Sequence, residues 1–193
     1  MANRAYLYTA SKNLTNLKDV SETINEVSLA YKILMGVDTT QLNSLIWDNP
    51  HQIAIHANFE LGLKKLNDFY DYLKTQKAID SEKISEYQKA TADFFIKHPE
   101  RKSDLFFMEA GEVYDLVATQ NWTLDKESEY TFVLIKQIST NIDEILKIRP
   151  TNLFDHIEDL EWLSDIAENI ECLNPHWTHV TYFSFNKSSE NKV

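Results

Sequence analysis

The chain has 193 residues, 30 acidic against 19 basic, for a net charge of −11 and a pI near 4.9. It is 43% hydrophobic and 12% aromatic, enough for a packed core, and its three glycines and four prolines exclude a loop-dominated or low-complexity chain. The acidic balance argues against nucleic acid as a partner, and no run approaches the roughly 18 apolar residues of a membrane helix.

The opening "MANRAYLYTASKN" has only a short apolar run, too little for a secretory h-region. Cys172, the one cysteine, cannot form an internal disulfide. The expectation is a cytoplasmic protein with one α+β domain over residues 1–186 and a frayed tail over 187–193.

In chain order, "RAYLYT" at residues 4–9 reads as a strand and residues 11–26 as a polar connection. "VSLAYKILMG" at 27–36 fits a strand or a short helix ended by Gly36. A short helix is expected from Thr39 or Thr40 to Trp47, then a buried strand in "QIAIHAN". From Asn58, which can cap it, a helix carries Phe59, Leu63, Leu66, Phe69, Tyr70 and Leu73 at spacings of three and four. Gly62 interrupts this stripe at a cost of about 1 kcal/mol relative to alanine, which suggests a close helix crossing.

Ser81 reads as the cap of the next helix, whose inner face is Ile84, Tyr87, Thr91 and Phe94 or Phe95. A strand over Leu105–Met108 leads to a short helix or extended loop from Glu109 to Val117. The longest helix is predicted over 126–148, capped by Asp125, with Tyr130, Leu134, Ile138, Ile142, Ile145 and Leu146 inward. Another is expected from Leu153 to Ile170, and after Pro175 a Thr, Val, Tyr and Phe-rich strand. The sum is an α+β fold, a small mixed or mostly antiparallel sheet with about five packed helices, the alternative being a mostly α chain.

The chemistry-bearing residues are few. Cys172, His176 and His179 lie close in sequence, but Pro175 breaks the spacing that would bring them to one metal, and they read as a turn before a strand. Glu109, Glu112 and Asp115 follow a strand and form the alternative enzyme site, a metal-dependent hydrolase assisted by a histidine. No cofactor-binding or metal motif is present, and Walker, Rossmann and serine-hydrolase signatures are absent.

Charge pattern carries more. From Pro150 to Asn186 there is no lysine or arginine, while Asp155, Glu158, Asp159, Glu161, Asp165, Glu168 and Glu171 are acidic. On the expected helix Glu158, Glu161, Asp165 and Glu168 fall opposite the apolar stripe, and such like-charge spacing costs about 0.2–0.5 kcal/mol per pair. With Trp162 and Trp177 as aromatic anchors, Asp155, Glu158, Glu161, Asp165 and Glu168 form the candidate partner-binding surface.

"MANRAYLYTA" and "LFFMEAGEVYDL" resemble a group of uncharacterised bacterial proteins that begin MANR, a small residue and YLY. The resemblance implies a cytosolic bacterial accessory protein and brings no reaction, cofactor or catalytic residue with it. In size, charge and lack of catalytic motifs the chain also looks like bacterial immunity proteins, which neutralise toxins. That likeness implies a basic protein partner, a secreted or contact-delivered toxin, whose active site carboxylates would occlude. The other expectations are a structural or regulatory subunit and the small hydrolase.

Overall fold

The computed structural model describes residues 3–47, 52–77, 79–119, 122–147 and 166–185. The fold is α+β. Strands β1 (Arg4–Ala10), β2 (Lys18–Ile24), β3 (Thr40–Leu42), β4 (Ala54–Asn58) and β5 (Leu105–Glu109) form one sheet in the order β2-β1-β5-β4-β3, and every pair is antiparallel. The helices are α1 (Leu29–Leu34), α2 (Phe59–Leu73), α3 (Ser81–Lys97), α4 (Gly111–Val117) and α5 (Leu124–Lys147). Among the described residues, no helix is long and apolar enough to cross a membrane.

Strand periodicity sorts the sheet's side chains onto two faces. Ala5, Leu7, Ile55, Ala57, Phe106 and Met108 join the main core with the helices. Tyr6, Tyr8, Ala10, Ala54 and Phe107 form a second cluster on the other face. Among the described residues, no helix contributes to that second cluster. Leu14, Leu17, Leu42, Ile46, Phe183 and Phe185, from turns, the edge strand β3 and the C-terminal segment, pack against it instead.

α2 follows β4 directly, and Asn58 caps it by accepting the Leu61 N–H at 3.0 Å. Its crossing with α1 is so tight that a Cβ on Gly62 would lie 2.2 Å from the Leu34 carbonyl oxygen. The same helix buries Lys65, whose ammonium donates to the Ser139 carbonyl at 3.2 Å and pairs with Asp143 at 2.8 Å, tying α2 to α5.

Several elements differ from the sequence reading. The polar connection at 11–26 contains β2. It is weakly apolar because it lies at the sheet edge, where Ser21, Thr23 and Asp19 are buried by hydrogen bonding. The ambiguous 27–36 stretch is α1, capped by Ser28. The helix expected up to Trp47 is instead the short strand β3 and a bend. There the Ser44 hydroxyl accepts the N–H groups of Ile46 and Trp47 at 3.1 and 2.8 Å, competing with a helical turn.

Asp80, not Ser81, caps α3 and accepts from the N–H groups of Glu82 and Lys83. α5 starts before Asp125, and Thr123 accepts at its first turn. On α5 the inward line runs through Ser128, Thr131, Ile135, Ile138, Ile142 and Ile145, which leaves Tyr130 and Leu146 exposed. The strand expected after Pro175 is absent. One bridge, Ser21 with Trp177, joins the segment to the sheet, and the remainder packs by side chains. Most of the helix expected over 153–170, and the tail, lie outside the described residues; residues 166–168 are helical.

Candidate functional site

Glu109, Glu112 and Asp115 sit at the junction of β5 and α4 and turn in three directions. Glu109 lies on the second sheet face, 1% exposed. Its Oε1 accepts the N–H groups of Leu45 at 2.5 Å and Ile46 at 3.3 Å, and Ser44 donates to both carboxyl oxygens at 3.1 and 3.0 Å. Burial pushes this carboxyl up to about 7, and the bonds from Leu45, Ser44 and Ile46 oppose the rise without cancelling it.

Glu112 instead accepts the Arg4 N–H at 3.0 Å and the Tyr6 hydroxyl at 2.9 Å, stitching α4 to β1. Asp115 faces outward. Each buried oxygen in this group therefore meets the protein's own donors.

The terminal Cys/His group is equally dispersed. Cys172 is half-buried, while His176 and His179 are exposed. The His179 ring lies 4.7 Å from that of His98, at the end of α3. Among the described residues, no three His, Cys, Asp or Glu side chains are arranged to hold a metal ion.

Trp177 is the best-anchored side chain of the C-terminal segment. It stacks on Phe94 with centroids 5.6 Å apart, meets Phe95 edge-on at 5.0 Å and donates its indole N–H to Thr91 at 2.8 Å. This ring belongs to the packing between α3 and the sheet, not to an outward anchor. Glu168 is exposed, whereas Asp155, Glu158, Glu161, Trp162 and Asp165 lie outside the described residues.

A different surface brings carboxylates and apolar groups together. Where β2, its turn into α1 and the C-terminal segment meet, a cleft of about 480 Å³ is lined by Glu22, Glu26 and Glu171, with Ile24 and Val180 also on its walls. Ile24 and Val180 are 54% and 62% exposed, and Tyr182, whose N–H binds Glu22 at 2.7 Å, is 70% exposed. The Tyr87 hydroxyl donates to Glu171 and holds that carboxyl below its usual range. Arg4 approaches Glu22 at 3.5 Å and lies over the Tyr182 ring at 4.4 Å.

Sequence reasoning placed Glu171 in an acidic segment but passed over Glu22 and Glu26. The alternation in "KDVSETINE" was the available signal, since Glu22 and Ile24 fall two apart on one strand.

Residues 6–150 match the model of a family described as a domain of unknown function, DUF7822. The chain belongs to that family. The match covers the sheet and α1–α5 and stops before the C-terminal segment that supplies Glu171 and Val180 to the cleft. No curated protein and no solved structure matches the chain.

Proposed function

We propose that this DUF7822 protein is an acidic protein-interaction module of the bacterial cytoplasm. Most concretely, it is an immunity protein or inhibitor that binds a basic toxin or enzyme and occludes its active site. The observation that carries the reading is the cleft at the β2 edge, where three carboxylates stand beside exposed Ile24, Val180 and Tyr182. Carboxylates steer a cationic partner and set its register, and the apolar rim supplies contact area that loses water on binding. The net charge of −11 extends the same attraction over the whole molecule. The acidic residues from Asp155 to Glu168 belong to the proposal as further negative charge.

The test is affinity capture from the native bacterium, including the products of neighbouring genes. Calorimetry of the recovered basic protein against wild type, Glu26→Lys and Val180→Asp follows. Each substitution changes an exposed cleft side chain, so the expected result is binding weakened about tenfold or more and falling with salt. Affinity unchanged in both variants would remove the cleft as the interface.

A further inference from the structure

β2 is one edge of the sheet, and its register shows which way its backbone groups point. The Asn25 N–H donates to the Asn3 carbonyl at 2.6 Å, one step beyond the Arg4–Ile24 pair. Alternation along an antiparallel ladder then turns Thr23 and Asn25 toward β1. The N–H and C=O groups of Glu22 and Ile24 point away from it.

The C-terminal segment already pairs with the start of this outer edge. The Thr178 N–H donates to the Val20 carbonyl at 2.9 Å, and Trp177 bridges Ser21 in the antiparallel sense. Extended pairing does not continue toward Ile24, because His176 has a positive φ of 49° and Ile170–Leu173 is a 3₁₀ turn. Among the described residues, no hydrogen bond reaches the Ile24 N–H or C=O. The Ile24 side chain is likewise exposed. The edge is thus able to accept a strand, and its last stretch is open.

Side chains flank that stretch on both sides. Glu22 and Ile24 share the face of Tyr6, while Thr23 shares the main-core face of Ala5. Glu171, bound to Tyr87 of α3, stands on the helix side, and Glu26 also lines the cleft. A strand laid along the edge repeats the same period of two, so alternate side chains meet the carboxylates and the apolar Ile24.

We propose that the outer edge of β2 at Glu22–Ile24 takes an extended segment of the basic partner as an added strand, one that alternates lysine or arginine with apolar residues. The inference rests on the acidic-cleft reading above and adds how the partner is held. Main-chain bonds to Ile24 set the register, Glu26 and Glu171 select the cationic positions, and Ile24 and Val180 the apolar ones. A second copy of this chain fits worse. Pairing two such edges would set Glu22, Glu26 and Glu171 against their like in a chain of net charge −11.

The probe is a synthetic peptide of alternating lysine and valine, with glutamate in place of lysine as its control. Saturating lysine peptide should slow hydrogen exchange of the Ile24 amide by about tenfold or more. Ile24→Pro removes that outward N–H without removing any bond within the protein, and should weaken the peptide about fivefold or more. Ile24→Val keeps the N–H and should stay within about twofold. Glu26→Lys separates the two readings. If it weakens binding while Ile24→Pro does not and the Ile24 amide still exchanges freely, the cleft holds cations by side chains alone and strand addition is defeated. Binding unaffected by Glu26→Lys, or equal for the glutamate peptide, defeats the acidic-cleft reading and this one with it. An Ile24 amide already protected in the free protein means that the chain itself, or a second copy if protection rises with concentration, pairs the edge, and also overturns the proposal. If Ile24→Pro does not fold, the wild-type Ile24 amide decides: protection by the lysine peptide supports strand addition, and unchanged exchange at saturation defeats it.

Discussion

Gly62→Ala pits helix propensity against packing at a defined contact. An added Cβ would stand 2.2 Å from the Leu34 oxygen and 3.1 Å from its carbonyl carbon, atoms of the α1 backbone, so no side-chain rotation relieves the overlap. Inserting a methyl into a packed site costs about 1–3 kcal/mol, and a backbone obstacle places this one near the upper end. Replacing glycine by alanine inside a helix returns about 1 kcal/mol. The balance is a loss of about 2 kcal/mol. For a chain of this length that corresponds to a melting temperature lower by about 4–8 °C. Urea denaturation should show a lower midpoint with an unchanged slope. A melting temperature at or above wild type would refute the reasoning, because propensity would then outweigh the α1–α2 contact.

Trp177→Ala should cost about 3 kcal/mol in urea denaturation, because it empties the space against Phe94 and Phe95 and removes the indole N–H that the Thr91 hydroxyl accepts. A loss below about 0.5 kcal/mol would mean the ring is not part of the core. Lys65→Ala should lose about 2–3 kcal/mol and Lys65→Met clearly less, since methionine keeps the apolar stem and removes the buried charge. Equal losses would show that the ion pair, not the stem, matters. Asp80→Ala should destabilise by about 1 kcal/mol while Ser81→Ala stays within about 0.5 kcal/mol. Thermal melts of the two would expose a wrong cap assignment if the order reversed.

Local physics made much of this fold legible. The stripes of α2 and α3 reappear as buried faces because helix periodicity alone selects them, and the Asn58 cap and the close approach at Gly62 are where their sequence signals put them. The apolar strands β1, β4 and β5 announce themselves because they are central and buried on both sides. β2 does not, because an edge strand needs few apolar residues, and its buried Ser21 and Asp19 are satisfied by the C-terminal segment and Thr23 by the Glu26 carbonyl of the following turn. For the same reason Glu22 and Glu26 stayed invisible as neighbours of Glu171: the 144 residues between Glu26 and Glu171 carry no local signal of proximity.

The amino-acid order by itself determined the acidic charge, the α+β class and the faces of the long helices, since these depend on composition and on repeats of two or 3.6 residues. Tertiary structure alone decided what those residues face. It turned Trp177 inward onto Phe94, converted the Thr-rich run after Pro175 from a strand into a side-chain cover, and set the 44–47 loop over Glu109. A carboxylate at a strand end is equally compatible with catalysis, metal binding or burial. Only the groups that reach it from distant parts of the chain choose among them.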